Sequence, residues 1–255
     1  MGGISYMISI VCLIYQSPHY AEFVYESVKE FTPELKTGEA RFYFIANDPT
    51  DEVVRFLEQK AYPYFVKINP HYSDNERFSM GYACHEYNGR VYMGYNYGIE
   101  ISDDPIICWV NSDNYFSPGW LANLKKRLTK KTIVSPRLIQ PTWFKNPINE
   151  KYCEIMNFGT GLRNFNKAGF LEAVERISTD TISEGCAFFP AMCYRENVVK
   201  AGYFPEGNLH GGDYNIIKET GDTHFYRALS DMGVKHIQAD DSIVYHFNEG
   251  EKYLK

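Results

Sequence analysis

The tract Asn111-Ser112-Asp113-Asn114 sets one carboxylate beside two amide oxygens, directly after the apolar run Ile106 to Val110. Oxygen ligands of this kind suit a hard divalent cation, and a cation held there would neutralise charge developing on phosphate oxygens. Asp113 is the anionic ligand of such a site, with Asn111 and Ser112 beside it. The same residue types also close turns through local hydrogen bonds, and taken alone the tract fits that reading too.

Around this tract the chain's main pattern is an alternation of strands and helices. Ile8 to Ile14 is a near-continuous apolar run and predicts a parallel strand covered on both faces. Ser17-Pro18 supplies an N-cap and a first helical position, and Tyr20, Val24, Val28 and Phe31 follow at helical spacing. Arg41 to Ala46 and Tyr64 to Ile68 read as further strands around a helix from Glu52 to Ala61. Asn69 to Asn88 is less regular, and Val91 to Ile101 is helical in pattern and rich in Gly and aromatics. Ser117-Pro118 is expected to open a helix with Leu121, Leu124 and Leu128 on one face, and Ile133-Val134 ends the first half of the chain.

Beyond Pro136 the pattern weakens, with Trp143, Asn146, Asn149 and Asn157 expected in loops. Ala187 to Phe189 and Ile243 to Tyr245 are short strand candidates; Arg195 to Ala201 and Thr223 to Met232 are helix candidates. The predicted class is α/β, a mostly parallel, doubly wound sheet flanked by helices, with its ligand site beyond the carboxyl ends of the strands.

Composition narrows the partners. A net charge of −6 disfavours a nucleic-acid polymer, which needs clustered cations to neutralise phosphates. The exception is the run Lys125, Lys126, Arg127, Lys130, Lys131, read as a solvated helix face, with a peripheral membrane or phosphate contact as its alternative. The 21 Tyr and 17 Phe either pack a core or line pockets for sugar rings and bases. The six Cys residues include no CxxC pair and predict no zinc site. Four of them lie in or beside apolar segments, which points to a reducing, cytoplasmic setting. The run Ile8 to Tyr15 is too short to span a bilayer, so no transmembrane segment is expected.

The segment Cys108-Trp109-Val110-Asn111-Ser112-Asp113-Asn114-Tyr115-Phe116-Ser117-Pro118-Gly119-Trp120-Leu121 resembles the DxD region of inverting GT-A glycosyltransferases of the family 2 type, in which a "pGwL" helix start follows the acidic triplet. The resemblance implies a GT-A, Rossmann-like fold. It also implies transfer of a sugar from a nucleotide-diphosphate donor (a UDP-, GDP- or dTDP-sugar) to a carbohydrate acceptor hydroxyl, with Mn²⁺ or Mg²⁺. Asn111 departs from the usual Asp, while Asp113 keeps the last acid of the triplet.

By the same resemblance, Leu13, Tyr15 and Asp48 fall where the nucleotide is bound. Asn88-Gly89 and Gly94-Tyr95-Asn96-Tyr97-Gly98 are similar to a segment in which small residues let the chain approach the nucleotide, with Asn88 and Asn96 as donor-binding candidates. Gly221-Asp222-Thr223-His224-Phe225 looks like the family's "EDxDf" helix start, which puts Asp222 at the general-base position. Gly221 stands there for a Glu and His224 for an acid. Asp222 also reads as an ordinary N-cap, and Asp213 in Gly211-Gly212-Asp213-Tyr214 is the competing base. His246 falls where many relatives complete the metal shell.

The implied organisation is one domain over residues 1–255, a nucleotide-binding half at about 7–135 and an acceptor-binding half at about 136–255. Two other readings stay open. A sugar nucleotidyltransferase would carry a Gly-rich basic loop after the first strand, where this chain has Tyr15-Gln16-Ser17-Pro18-His19. A noncatalytic carbohydrate-binding module would show no metal dependence.

Overall fold

The computed structural model describes residues 7–83, 86–141, 153–185 and 187–247. The loops expected around Trp143, Asn146 and Asn149 lie outside these residues, as do Cys84 and Cys186. The elements run β1 (Ile8–Ile14), α1 (Pro18–Phe31), α2 (Glu34–Thr37), β2 (Ala40–Asn47), α3 (Asp51–Gln59), β3 (Tyr64–Lys67), α4 (Asp74–Ser79) and α5 (Glu86–Glu100). They continue through β4 (Ile106–Asn111), β5 (Asn114–Phe116), α6 (Trp120–Arg127), β6 (Thr132–Gln140), β7 (Cys153–Ile155) and α7 (Lys167–Ile177). The last are β8 (Ile182–Glu184), β9 (Ala191–Tyr194), α8 (Arg195–Ala201), β10 (Leu209–His210), β11 (Ile217–Glu219), α9 (Gly221–Asp231) and β12 (Lys235–His246).

Ten strands form one sheet whose main path is β3-β2-β1-β4-β9-β6-β12-β5, with β7 on β6 and β8 on β12. β3, β2, β1 and β4 are mutually parallel, as are β12, β6 and β7, while β9 runs antiparallel between the two groups. The fold is mixed α/β, as expected. Alternation along β1 explains why the sheet is covered on both sides. Ile8, Ile10, Cys12 and Ile14 enter one buried cluster with Val24 of α1, Leu57 of α3 and Leu121 of α6. Val11 enters another with Tyr95 of α5, Val198 of α8 and Phe225 of α9.

Several expected boundaries move for identifiable reasons. β6 does not stop near Val134 but runs on to Gln140 through Pro136. Proline removes a ladder donor and is tolerated in strands at irregularities. Pro136 sits opposite Ala239, where β12 breaks register before resuming at Ile243. The strand expected at Ala187 to Phe189 begins after Pro190, at Ala191, and the Phe188 and Phe189 rings pack on Tyr226 and Tyr95 instead. Ser117-Pro118 precedes the helix rather than opening it, because Gly119, at φ 75°, takes the cap of α6. α4, with its Ser73–Glu76 capping box, and α7, which buries Phe170, Ala173 and Val174, lie in stretches without a clear local pattern.

The basic run is occupied by carboxylates: Lys125 pairs with Glu39, Lys126 with Asp180, Arg127 with Asp180 and Asp241, and Lys130 with Glu196. No described helix is long and apolar enough to cross a membrane.

Candidate active site

The parallel strands deliver their carboxyl ends to one edge of the sheet, and that edge gathers most of the candidate residues. Register fixes this from the backbone up. Leu13 of β1 pairs with Asn111 of β4, so both strand ends stop at the same level. β5 then folds back from the acidic loop and pairs antiparallel with β12, placing His246 opposite Asn114. The Phe247 N–H donates to the Asp113 carbonyl at 3.0 Å and closes this junction. A residue 133 positions away is thereby carried to the acidic loop.

His246 Nε2 lies 3.2 Å from Asp113 Oδ2, and both side chains are mostly shielded, at 16% and 15% exposure. Gln140, at the end of β6, places its Nε2 2.7 Å from His246 Nδ1. The acidic loop is braced from inside. The Asn111 N–H donates to Asn114 Oδ1 at 3.0 Å, and the Tyr95 hydroxyl lies 2.6 Å from Asn111 Oδ1 and 3.0 Å from the Val110 carbonyl. Burial, with smaller contributions from Cys12 and the Asp113 charge, holds the Tyr95 phenol well above the usual tyrosine range. Tyr95 is therefore a fixed neutral donor, and Asn111 Oδ1 faces it rather than a cation.

One carboxylate and one imidazole, adjacent and shielded, form a chemically suitable pair for a borderline divalent ion such as Mn²⁺. Among the described residues no cluster of three or more His, Cys, Asp or Glu stands ready to hold a metal. A cation at this pair would take its remaining ligands from elsewhere, as expected for an ion held jointly by protein and phosphates.

On the other side of β1, Asp48 follows β2 in the left-handed region at φ 48°. Its carboxylate accepts from the Asn69 backbone N–H and side-chain amide, both at 2.8 Å, and stands 3.9 Å from Arg90. The Arg90 guanidinium lies 5.9 Å from the Tyr15 ring centroid. Tyr15, Asp48 and Arg90 thus form one group at the end of β1 and β2. Asn88 is half-buried in the first turn of α5. Asn96 is placed differently: its amide donates to the Phe204 carbonyl at 2.8 Å and accepts from the Phe204 N–H at 3.0 Å. Both of its polar atoms serve a backbone crossing. The glycines of α5 also have packing reasons. A Cβ at Gly94 would meet Leu13 and Asn47 at 3.0 Å, and one at Gly98 would collide with Val11.

Asp222 stands at the amino end of α9, which packs on α5. Thr220 is the cap residue, so Asp222 is not the N-cap but the second helical position. Its Oδ1 accepts from the Thr220 hydroxyl and from the Thr223 N–H at 2.7 Å. Gly221 leaves room for a neighbour, since a Cβ there would strike the Tyr92 ring. Burial, with the neighbouring Asp222 charge, pushes the Tyr92 phenol upward. Tyr92 and Tyr95 are three residues apart on α5, about 4.5 Å of axial rise, so one helix meets Gly221-Asp222 through Tyr92 and Asn111 through Tyr95. Asp213 is set apart: it is exposed in the β10–β11 turn, with its Oδ1 accepting from the Asn215 N–H at 2.9 Å.

Gln140, Arg90, Tyr92 and Tyr95 were not among the residues singled out from sequence. For Gln140 a signal existed, since reading the β6 run past Pro136 puts it at a strand's carboxyl end, where ligand sites concentrate. For the tyrosines there was none, because helical spacing in an aromatic segment reads equally as core.

No protein-family model matches the chain, and no curated protein sequence matches it. Solved structures do. A GalNAc-T7 with UDP, GalNAc and Mn²⁺ superposes with a TM-score of 0.59 at 12% identity, over 96% of this chain and 44% of that one. A mannosyltransferase from Pyrobaculum calidifontis in complex with GDP-Man and Mn²⁺ gives 0.55 at 14% identity, over 94% and 56%. S. aureus TarS residues 1–349 gives 0.56 at 11% identity, over 94% and 60%. The chain spans about half the length of these structures. These superpositions over nearly the whole described chain show that it has the GT-A fold.

Proposed function

We propose that the protein is an inverting glycosyltransferase, moving a sugar from a nucleotide-diphosphate donor to an acceptor hydroxyl of a carbohydrate. The observation that carries this reading is the Asp113–His246 pair, 3.2 Å apart at the carboxyl edge of a GT-A sheet. Asp113 and His246 would hold a Mn²⁺ or Mg²⁺ ion. When bound, that ion supplies charge neutralisation to the leaving diphosphate. Tyr15, Asp48 and Arg90 receive the nucleotide at the β1–β2 end. Asp222 accepts the acceptor hydroxyl's proton as its oxygen attacks the anomeric carbon, and its second oxygen, Oδ2, has no hydrogen-bond partner among the described residues. The exposed turn setting of Asp213 makes it the weaker base. Residues 7–135 form the donor side and 136–255 the acceptor side of one unit.

Two of the similar structures hold UDP or GDP-Man together with Mn²⁺, which supports this donor class. The free thiols Cys108, Cys153 and Cys193 suit a reducing, cytoplasmic setting. A thermal-shift series with UDP-, GDP- and dTDP-sugars, with and without Mn²⁺, tests the reading. At least one nucleotide should raise the melting temperature in a Mn²⁺-dependent way, and no stabilisation under any condition removes its support. Asp222→Asn should keep that stabilisation while lowering turnover by roughly 10²- to 10⁴-fold. Unchanged turnover would take the base role from Asp222.

A further inference from the structure

Gln140 ends β6 one position beyond Ile139, which pairs with Tyr245, so the strand ladder brings Gln140 level with His246. The side chain is nearly sealed, at 3% exposure. Its Nε2 lies 2.7 Å from His246 Nδ1, while its Oε1 is buried with no hydrogen-bond partner. On the other side of the imidazole, Nε2 lies 3.2 Å from Asp113.

These contacts link the amide's orientation to the imidazole tautomer. With Gln140 Nε2 donating, Nδ1 must be the acceptor, so the ring proton sits on Nε2 and points at Asp113. With the amide turned over, Gln140 Oε1 accepts from Nδ1–H, and the Nε2 lone pair faces the space beside Asp113. Nitrogen and oxygen of a carboxamide are assigned from their bonding network. Without a cation the protein's own bonds favour the first orientation, since Nε2–H then donates to Asp113; the second sets the Nε2 lone pair against the carboxylate and is favoured only when a cation lies between them. Only the second orientation presents a metal-ligating nitrogen.

We infer that Gln140 is the positioning residue for His246: it fixes the imidazole ring and, by turning its amide, presents Nε2 to a cation shared with Asp113. This rests on the reading of Asp113 and His246 as cation ligands. A hydrogen-bond partner on the far nitrogen of a ligating His typically contributes about 10- to 100-fold to metal affinity. A carboxylate at position 140 can only accept, so it locks the ligating tautomer.

The test is Mn²⁺ binding, read by electron paramagnetic resonance titration, with Mn²⁺ alone and with added UDP or GDP. Thermal melts of each variant accompany the titrations. Gln140→Met should bind Mn²⁺ about 10- to 100-fold more weakly than wild type, Gln140→Glu should bind at least as tightly, and His246→Ala should lose affinity. If Gln140→Met does not fold, Gln140→Asn, which withdraws the amide from the ring, carries the same expectation. Wild-type affinity in Gln140→Met alongside a weakened His246→Ala would overturn the role of Gln140 and leave the cation pair standing. Equal losses in Gln140→Met and Gln140→Glu would also overturn it, because a packing role does not distinguish acceptor from thioether. A wild-type protein that binds no Mn²⁺ alone or with either nucleotide would remove the cation pair and this inference together.

Discussion

The acidic loop departs from the usual DxD pattern at Asn111, and the structure accounts for the departure. Asn111 Oδ1 faces the Tyr95 hydroxyl at 2.6 Å, and its N–H is held by Asn114, so the residue braces the loop from inside. Asp113 is left as the loop's single carboxylate, next to His246, and is the ligand we propose for the cation. Removing that charge should be felt mainly in metal-dependent steps. Asp113→Asn is expected to abolish the Mn²⁺-dependent part of nucleotide stabilisation and to lower transfer by roughly 10²- to 10³-fold, the order seen when a key electrostatic stabiliser is lost. Retained metal dependence in a thermal-shift titration would show that the cation is held elsewhere.

Among the helices, α5 does most of the positioning. It lies close enough to β1 and β2 for Gly98 to face Val11 and Ile45, and for Gly94 to face Leu13 and Asn47. The approach brings Tyr92 toward Asp222 and Tyr95 toward Asn111. Gly98→Ala should therefore act through packing. Inserting a methyl against Val11 Cγ1, with Ile45 Cγ1 3.1 Å away, is overpacking of a dense interface. Such changes cost about 1–3 kcal/mol. At about 2–4 °C per kcal/mol for a chain of this size, the melting temperature should drop by several degrees. A variant that melts like wild type would mean that α5 is less tightly seated than its contacts indicate.

For the molecule as a whole, pH stability follows from a histidine far from the proposed chemistry. His236 lies near the start of β12, 2.8 Å from the Ser135 hydroxyl and with ring centroids 4.4 Å from Tyr226. Burial pushes its pKa down to about 3. Its pKa is thus lower in the folded than in the unfolded chain, where a free imidazole titrates near about 6.5. Between those values the unfolded state binds the extra proton, so stability is full above the unfolded value and falls as pH drops through the window, by at most about 1.4 kcal/mol per pH unit. His236→Phe should flatten the loss of melting temperature between about pH 6.5 and pH 5. An unchanged profile would assign acid sensitivity to other groups.

The sequence by itself determined what depends on short-range pattern. Apolar runs at β1, β2 and β4, the helical spacing of α1 and the segment around Asp113 were readable because a strand or helix records its covered faces within a few residues. The alternating α/β architecture followed. Boundaries failed where compensation came from a distant strand, as when the irregularity in β12 lets β6 run through Pro136. Only the tertiary structure decided which polar residues meet. His246 reaches Asp113 through antiparallel pairing of β5 with β12, Gln140 reaches His246 through parallel pairing of β6 with β12, and Asn96 is drawn away to Phe204. Such meetings depend on register between segments far apart in the chain, and no local pattern of residues records them.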